Sequence, residues 1–572
     1  MTKCGYYIIV KYILLEGVEY LFGYPGGSIM PLYDALHSYS SLIFMILSRH
    51  EQGAIHAAQG YARVSRKVGV CIGSSGPGAV NFITGLADSF IDSTPVLCLC
   101  GQVSSNLLGK NYFQETNIID ISIYITKWNE QVLLTEDIGI SLQKAFYIAN
   151  HERKSPVLID ITKDAQIKKS SFEDALYKVE LYKIHRFYSY TNIQVSSIEK
   201  CHKLINSSKN PLVLVGQGIG LAKSEVELKS LLEKADIPFA TSILGVDVID
   251  SANTLFMGLL GMHGSYANNL LTNQCDVLIA IGMRFDDRIT GDINRYARKA
   301  KIIHIDIDNC EIGKHIYCHI SIIGNCKQIL PLITEKLRKT TKKVWVDIFY
   351  YLKKCEEKII KRNIYTENDA ISMGEVINQL NAYKDKDAIL IIDVGQHQML
   401  SCRYFFFTNR KSKVTSGGIG TMGFSLPASI GVQFGYKERQ IICVVGDGGL
   451  QMTIQEFGAI LHKKLTIKIF LLNNSFLGLV KQWQELFFSR RFAFSKLINP
   501  DFKKVAKSYD IESKKVLDRT MLFKEVKEVL EYTKASFLEV VVKSENEVEV
   551  LPMTPNGGSV DEVRLISNLE GR

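Results

Sequence analysis

The sequence predicts an α/β protein built from three doubly wound parallel-sheet domains, and two observations carry that prediction. Short apolar runs that stop at glycine recur along the chain: Val68-Gly-Val-Cys-Ile72 before Ser74-Ser-Gly-Pro-Gly78, Pro211-Leu-Val-Leu-Val215 before Gly216-Gln-Gly-Ile-Gly220, and Ile441-Ile-Cys-Val-Val445 before Gly446-Asp-Gly-Gly449. Runs without polar alternation read as strands buried on both faces, and the terminal glycines let backbone approach a ligand. The second observation is length: 572 residues are enough for three or four domains with full cores.

Bulk properties exclude several function classes. The formal net charge of +9 is spread along the chain, and short basic clusters such as Arg338-Lys339 and Lys361-Arg362 lack interleaved aromatics, so no nucleic-acid groove is expected. No apolar run reaches the roughly 18 to 20 residues of a membrane span. Lys11 interrupts the apolar start Tyr6 to Leu15 and no small-residue cleavage site follows, so a signal peptide is not expected. Twelve scattered Cys, with no CxxC pair, point to buried thiols in a reducing compartment and a soluble enzyme. The lean toward Ile, Lys, Tyr, Phe and Asn suits an AT-rich genome, which would place an organelle-encoded chain in the plastid stroma and any other in the cytoplasm.

Residues 1–180 read as the first domain. Tyr20-Leu-Phe-Gly23 is a strand leading into a glycine turn, and Arg49 to Arg63 is a helix in which Ala54, Ala57 and Ala58 allow close packing. Glu51 opens that helix among short apolar residues. It either stabilises the helix dipole or, partly desolvated, trades a proton with a heterocycle.

Residues 185–345 form the second domain. The strand at Pro211 runs into Gly216 and Gly218 without full GxGxxG spacing, a weak nucleotide signal alone. Leu260-Gly-Met-His-Gly264, Gly282-Met-Arg-Phe-Asp-Asp-Arg288 and His304-Ile-Asp-Ile-Asp308 with Glu311 strengthen it. An acid past a buried strand commonly bonds a ribose, and Arg284 or Arg288 could neutralise a pyrophosphate. Residues 346–365 are dense in Lys and Glu and read as a solvated helix leading onward.

Residues 366–572 form the third domain. Ala388 to Gly395 is a strand ending at Gln396-His397, and Ser416 to Gly423 is a glycine-rich loop. Thr453 and Glu456 have the spacing of a capping box, with Ile454, Phe457 and Leu461 on the inner helix face. A second strand ends at Asn473-Asn474, placing Asp447 and Asn474 at one carboxyl edge. One carboxylate, one amide oxygen and a backbone carbonyl, with no His or Cys beside them, suit Mg²⁺ completed by phosphates.

Gly446-Asp447-Gly448, then 24 residues (449–472), then Asn473-Asn474 resembles the signature of thiamine-diphosphate-dependent enzymes. Phe22-Gly-Tyr-Pro-Gly-Gly27, Arg49-His-Glu-Gln-Gly53, Ser75-Gly-Pro-Gly78, Gly101-Gln-Val103, Phe113-Gln-Glu115 and Arg284-Phe-Asp-Asp-Arg288 narrow the resemblance to the acetolactate synthase large-subunit family. The resemblance covers residues 15 to 560, apart from linkers at 165–205 and 335–370. It implies a pyrimidine-binding, a central FAD-binding and a diphosphate-binding domain.

By that resemblance Glu51 hydrogen-bonds the aminopyrimidine of thiamine diphosphate and Gln114 lines the substrate pocket, as do Lys163, Trp483 and Ser104. Thiamine contacts fall on Val394, Gly395, Gln396, His397, Gly420, Met422, Gly446, Asp447, Gly448, Gly449 and Asn474. Magnesium ligands are Asp447, Asn474 and the carbonyl of Phe476. FAD contacts fall on Arg153, Gly216, Gly218, Leu260, Gly261, Met262, His263, Gly282, Arg284, Asp286, Arg288, Asp306, Ile307 and Glu311, and Leu551 to Gly558 matches a closing lid.

The reaction implied is decarboxylation of pyruvate and carboligation to a second pyruvate or 2-oxobutyrate, by a homodimer or homotetramer with a small regulatory subunit. Pyruvate oxidase, or another thiamine-dependent 2-oxoacid decarboxylase, is the nearest alternative. A catalytically silent nucleotide-binding scaffold is the remaining one, though Glu51, Gln114 and Asp447 are all present. Two departures stand out: Gln59 replaces the usual Asp, and Ser104 and Asn556 alter the channel mouth, which implies weak inhibition by sulfonylureas and imidazolinones.

Overall fold

The computed structural model describes residues 2–171, 194–262, 264–365, 370–408, 411–544 and 558–562. It contains three six-stranded, wholly parallel sheets. The first runs in space as Phe44–Leu47, Tyr20–Gly23, Gly69–Gly73, Val96–Gln102, Val157–Thr162, Trp128–Val132. The third runs as Lys413–Thr415, Ile389–Ile392, Ile441–Gly446, Lys468–Asn473, Ser536–Val541, Glu512–Val516. Counted within each sheet, both have the order 2-1-3-4-6-5. The middle sheet has the order 3-2-1-4-5-6, starting with Phe256–Leu259 and switching direction between Pro211–Val215 and Val277–Ile281. That is the order of dinucleotide-binding folds, whose ligand lies at the switch point.

The first and third sheets are joined through equivalent helices, Glu51–Ser65 and Ser425–Gly435. Each follows the second strand of its own sheet. Their backbones meet at glycines: a Cβ on Gly431 would stand 1.7 Å from the Ala57 carbonyl oxygen, and one on Gly60 2.1 Å from that of Ala428. Ala54, Ala57 and Ala58 are buried in this contact, as their small size predicts. Gln59 is also fully buried, with Nε2 3.1 Å from His56 Nδ1 and donating to Gly85 O at 3.2 Å, while Oε1 accepts from Arg63. Its amide thus serves all three partners without adding a buried charge.

The spacing of Thr453 and Glu456 suggests a reciprocal cap, but the structure spends both side chains elsewhere. A helix starts at Asp447 itself, Asp447–Thr453, and passes through a short 3-10 turn into Phe457–Lys463. Thr453 Oγ1 donates to Gly423 O at 2.9 Å. Glu456, fully buried, accepts the Arg49 backbone N–H at 2.8 Å, and Arg49 Nη2 reaches back to Gly458 O at 2.8 Å. Phe457 is buried as expected, whereas Leu461 faces solvent, since the helix packs on a narrower stripe than the periodicity implies.

The segment 346–365 is helical, as expected, and largely solvated, but one stripe of it is buried. Helix Lys343–Ile364 buries Trp345, Val346 and Phe349 against the middle sheet, with Trp345 Nε1 donating to Pro211 O at 2.9 Å. Its Glu356 is buried, accepting from Tyr266 N at 3.1 Å and Arg403 Nη2 at 2.9 Å, so the helix braces the second domain to the third. The lysines mask an apolar face at helical spacing. The N-terminal apolar stretch is a helix too, Gly5–Leu15, packed in the first domain's core. No helix among the described residues is long and apolar enough to cross a membrane.

Two outcomes follow from these joints. Gly431→Val places a side chain against rigid backbone and should cost about 3 kcal/mol or more, read as a lowered thermal midpoint; an unchanged midpoint would contradict the packing described. Burial pushes the Glu456 carboxyl up to about 7. A raised carboxyl favours the folded state when protonated, so its contribution is complete at acid pH and is lost as pH rises through about 7. Glu456→Gln should therefore flatten the decline in stability between about pH 5 and about pH 8, by up to about 3 kcal/mol. Parallel stability–pH curves for variant and parent would refute it.

Candidate active site

Sites predicted far apart in sequence fall on the carboxyl edges of the three sheets, where open α/β sheets bind ligands. On the first edge, Glu51 opens its helix after Phe44–Leu47, and its Oε2 accepts from Asn81 Nδ2 at 2.9 Å. The glycine turn at Ser74–Gly78 lies beside it: a Cβ on Gly78 would stand 3.2 Å from Glu51 Oε1. Gln114 is solvent-exposed with φ +60°, its backbone pressed on Gly76. Ser104 follows strand Val96–Gln102, and Lys163 follows Val157–Thr162 and lines a shallow pocket with Met30, Pro31, Tyr33 and Asp34.

On the third edge, strands Ile441–Gly446 and Lys468–Asn473 are adjacent and parallel, which brings Asp447 and Asn474 together. Asp447 is buried, and burial raises its carboxyl against the hydrogen bonds that lower it. Asn499 Nδ2 bridges Asp447 Oδ2 at 2.7 Å and Asn473 Oδ1 at 3.0 Å. Asn474 Oδ1 accepts from Phe476 N at 3.1 Å, setting the loop that carries the Phe476 carbonyl. A buried, uncompensated carboxylate beside amide and carbonyl oxygens fits a hard divalent cation.

Gly395 and Gly446 flank His397 so closely that a Cβ on either would stand 2.6 or 2.8 Å from its Cε1. Burial lowers His397 to about 4, so the ring is neutral, and among the described residues its Nε2 has no partner. An orphaned ring nitrogen beside two bare glycines fits a polar ligand pressed against backbone. Gly448 is equally tight, with Met422 Cε 3.2 Å from its hypothetical Cβ. Val394 and Gly420 sit at the same edge, and Asp393 fixes both flanks by accepting from Val394 N, Gly423 N and Ser425 N, each at 2.9 Å.

The middle edge opens into a cavity of about 800 Å³, within the range of cofactor sites. At the switch point Gly216 and Gly218 abut Gly282, with the Gly218 N–H donating to Gly282 O at 3.0 Å. Leu260, Met262, Arg284, Asp286, Arg288, Asp306, Ile307 and Glu311 line the cavity. Gly261, with φ +99°, is pressed on Arg288 O. Arg153 crosses from the first domain, its Nη1 2.7 Å from Asp308 and 2.9 Å from Glu311. Burial pushes Asp306 up to about 6. Trp483, on helix Gly478–Phe487, has the Arg288 guanidinium 5.8 Å from its ring. His263, Asn556 and the segment 551–557 lie outside the described residues.

Val394, Gly418 and Gly420 of the third domain line the same cavity. The loop that carries them is clasped by the first domain. Asp92 accepts from Gly417 N at 2.9 Å and Gly418 N at 2.8 Å, Asp88 accepts from Thr421 Oγ1 at 3.1 Å and from Ser416 Oγ, and Arg63 pairs with Asp92 at 2.9 Å. Sequence reasoning missed Asn81, Asp88, Asp92, Asp393 and Asn499. Asp393 had a visible signal, an acid interrupting the apolar run Ala388–Val394 at the end of its strand; the others are ordinary polar residues until the fold gathers them.

Family models for thiamine pyrophosphate enzymes match in three parts: the N-terminal TPP binding domain over 5–121, the central domain over 198–333 and the C-terminal TPP binding domain over 393–540. The chain is 38% identical to a probable acetolactate synthase large subunit of Methanocaldococcus jannaschii, covering 97% of this chain and 94% of that one. It is 35% identical to the acetolactate synthase isozyme 2 large subunit of Escherichia coli (97% and 98%) and 36% identical to the large subunit of Porphyra purpurea (97% and 94%). With its three parallel sheets and the sites on their carboxyl edges, this chain belongs to the acetolactate synthase large-subunit family of thiamine pyrophosphate enzymes.

Proposed function

We propose that the chain removes CO₂ from one pyruvate and joins the remaining two-carbon unit to a second 2-oxoacid. Pyruvate gives 2-acetolactate and 2-oxobutyrate gives 2-aceto-2-hydroxybutyrate, the entry to valine, leucine and isoleucine. The observation that carries this reading is the near full-length likeness to acetolactate synthase large subunits. When bound, thiamine diphosphate supplies the electron sink for decarboxylation.

The residues divide the remaining work. Asp447, Asn474 and the Phe476 carbonyl hold Mg²⁺, and Gly446, Gly448 and Gly449 leave room for the diphosphate. Glu51 holds a proton at the aminopyrimidine, its carboxylate oriented by Asn81. Val394 to His397, Gly420 and Met422 shape the wall of the thiamine site. Gln114, Ser104, Lys163 and Trp483 face the substrates. FAD fits the 800 Å³ cavity at the switch point, with Arg153 and Arg284 toward its phosphates.

Glu51 does not line that cavity, and its hydrogen bond stays within its own domain. The reading includes a second copy that completes the site, with Glu51 of one subunit meeting Asp447 of the other in a homodimer or homotetramer. The relatives' designation as large subunits supports a small regulatory partner.

The test is product analysis with pyruvate, thiamine diphosphate, Mg²⁺ and FAD. Acetolactate, converted to acetoin by acid, is expected, and Glu51→Gln should lower the rate by about 10²-fold or more. Asp447→Ala should abolish saturable thiamine diphosphate binding by calorimetry. Acetaldehyde, or peroxide with acetate or acetyl phosphate, would move the function to a decarboxylase or pyruvate oxidase.

A further inference from the structure

A second, smaller cavity of about 100 Å³ adjoins the larger one where the three domains meet, sharing Ser93, Lys154, Gln217, Leu221 and Leu244 with it, and is lined by five cations, Arg63, Arg66, Lys154, Lys411 and Lys413, and by three carboxylates, Asp92, Glu225 and Asp247. Each carboxylate is already engaged. Arg63 pairs with Asp92 at 2.9 Å, Arg66 with Glu225 at 3.2 Å and Lys413 with Asp247 at 3.8 Å. Lys154 and Lys411 are left over.

Among the described residues Lys154 has no hydrogen-bond or ion-pair partner. Lys411 Nζ donates to neutral oxygens, the Val64 carbonyl and Tyr436 Oη at 3.2 Å. Both ammonium groups are half-buried, and Lys223 stands close enough to repel them. Burial and mutual repulsion with Arg66 and Lys223 hold each lysine down to about 8.

Two unpaired ammonium groups, one from the first domain and one from the third, face a common cavity whose central-domain wall includes Gly220 and Leu221. Such a cluster costs stability unless an anion fills it. The volume admits a tetrahedral oxyanion and not a nucleotide. We propose that this junction cavity is a binding site for a phosphate-type dianion, held by Lys154, Lys411 and Arg66, that fastens the three domains together. The ligand is either free inorganic phosphate or the terminal phosphoryl group of a small phosphomonoester.

The experiment uses the full chain saturated with thiamine diphosphate, Mg²⁺ and FAD, so that their own phosphate positions are filled. Inorganic phosphate and glycerol 3-phosphate are titrated separately by calorimetry and by thermal midpoint, against NaCl of equal ionic strength. Saturable binding that raises the midpoint, weakened at least tenfold in Lys154→Gln and in Lys411→Gln, is expected. Binding of phosphate alone identifies the free ion, and binding of both identifies a terminal phosphoryl group. Absence of saturable binding, undiminished binding in the two folded variants, or an effect seen only in flavin-free protein overturns the proposal. Lys67→Gln, at an exposed ion pair with Glu19, is the control that should leave binding unchanged.

Discussion

Two glycines that have no room for a methyl group fix how the first and third sheets meet, and the placement of every candidate catalytic residue depends on that contact. Gly60 and Gly431 bring the backbones of helices Glu51–Ser65 and Ser425–Gly435 together at the same position of two sheets with the same strand order. The joint is therefore close to symmetric. It sets one carboxyl edge bearing Glu51 against a domain whose own edge bears Asp447. The two edges are thus related by the near-symmetry of the joint.

Around this contact the chain reuses one device, a buried carboxylate that accepts backbone N–H groups from a neighbouring domain's loop. Asp92 holds Gly417 and Gly418, Asp247 holds Ser412 and Lys413, and Glu456 holds Arg49. Within the third domain Asp393 does the same for Val394, Gly423 and Ser425. Glycine-rich loops leave N–H groups that no ladder satisfies, and a carboxylate satisfies two or three at once with charge-assisted bonds. The loop Ser416–Gly423, which borders both the 800 Å³ cavity and the edge that carries Asp447, is held this way from both sides. Its shape is thus settled before any ligand arrives, the preorganisation that a cofactor site needs.

The fold was largely legible because its signals are local. The apolar runs at 68–72, 211–215 and 441–445 fall on the strands Gly69–Gly73, Pro211–Val215 and Ile441–Gly446, and glycines that end them occupy close approaches. Asp447 and Asn474 were readable as neighbours because each follows one of two consecutive parallel strands, Ile441–Gly446 and Lys468–Asn473, joined through helices. The capping box was not, because Thr453 and Glu456 bond Gly423 and Arg49, partners that no local window contains. The helix over 343–364 was misjudged for a related reason: its lysines are dense, and only the neighbouring sheet reveals that Trp345 and Phe349 have a surface to cover.

By itself the sequence determined the strands, the glycine turns and the placing of Asp447 and Asn474 on one sheet edge, because each follows from the chemistry of a few consecutive residues or one short spacing. Tertiary structure alone decided which charges are spent and which are left over. Asp88, Asp92, Glu356 and Glu456 are interdomain acceptors, while Lys154 and Lys411 line a shared cavity whose carboxylates pair with other cations. Coulomb interactions and desolvation depend on distance and burial in three dimensions. Positions hundreds of residues apart along the chain acquire those distances only when the three sheets pack.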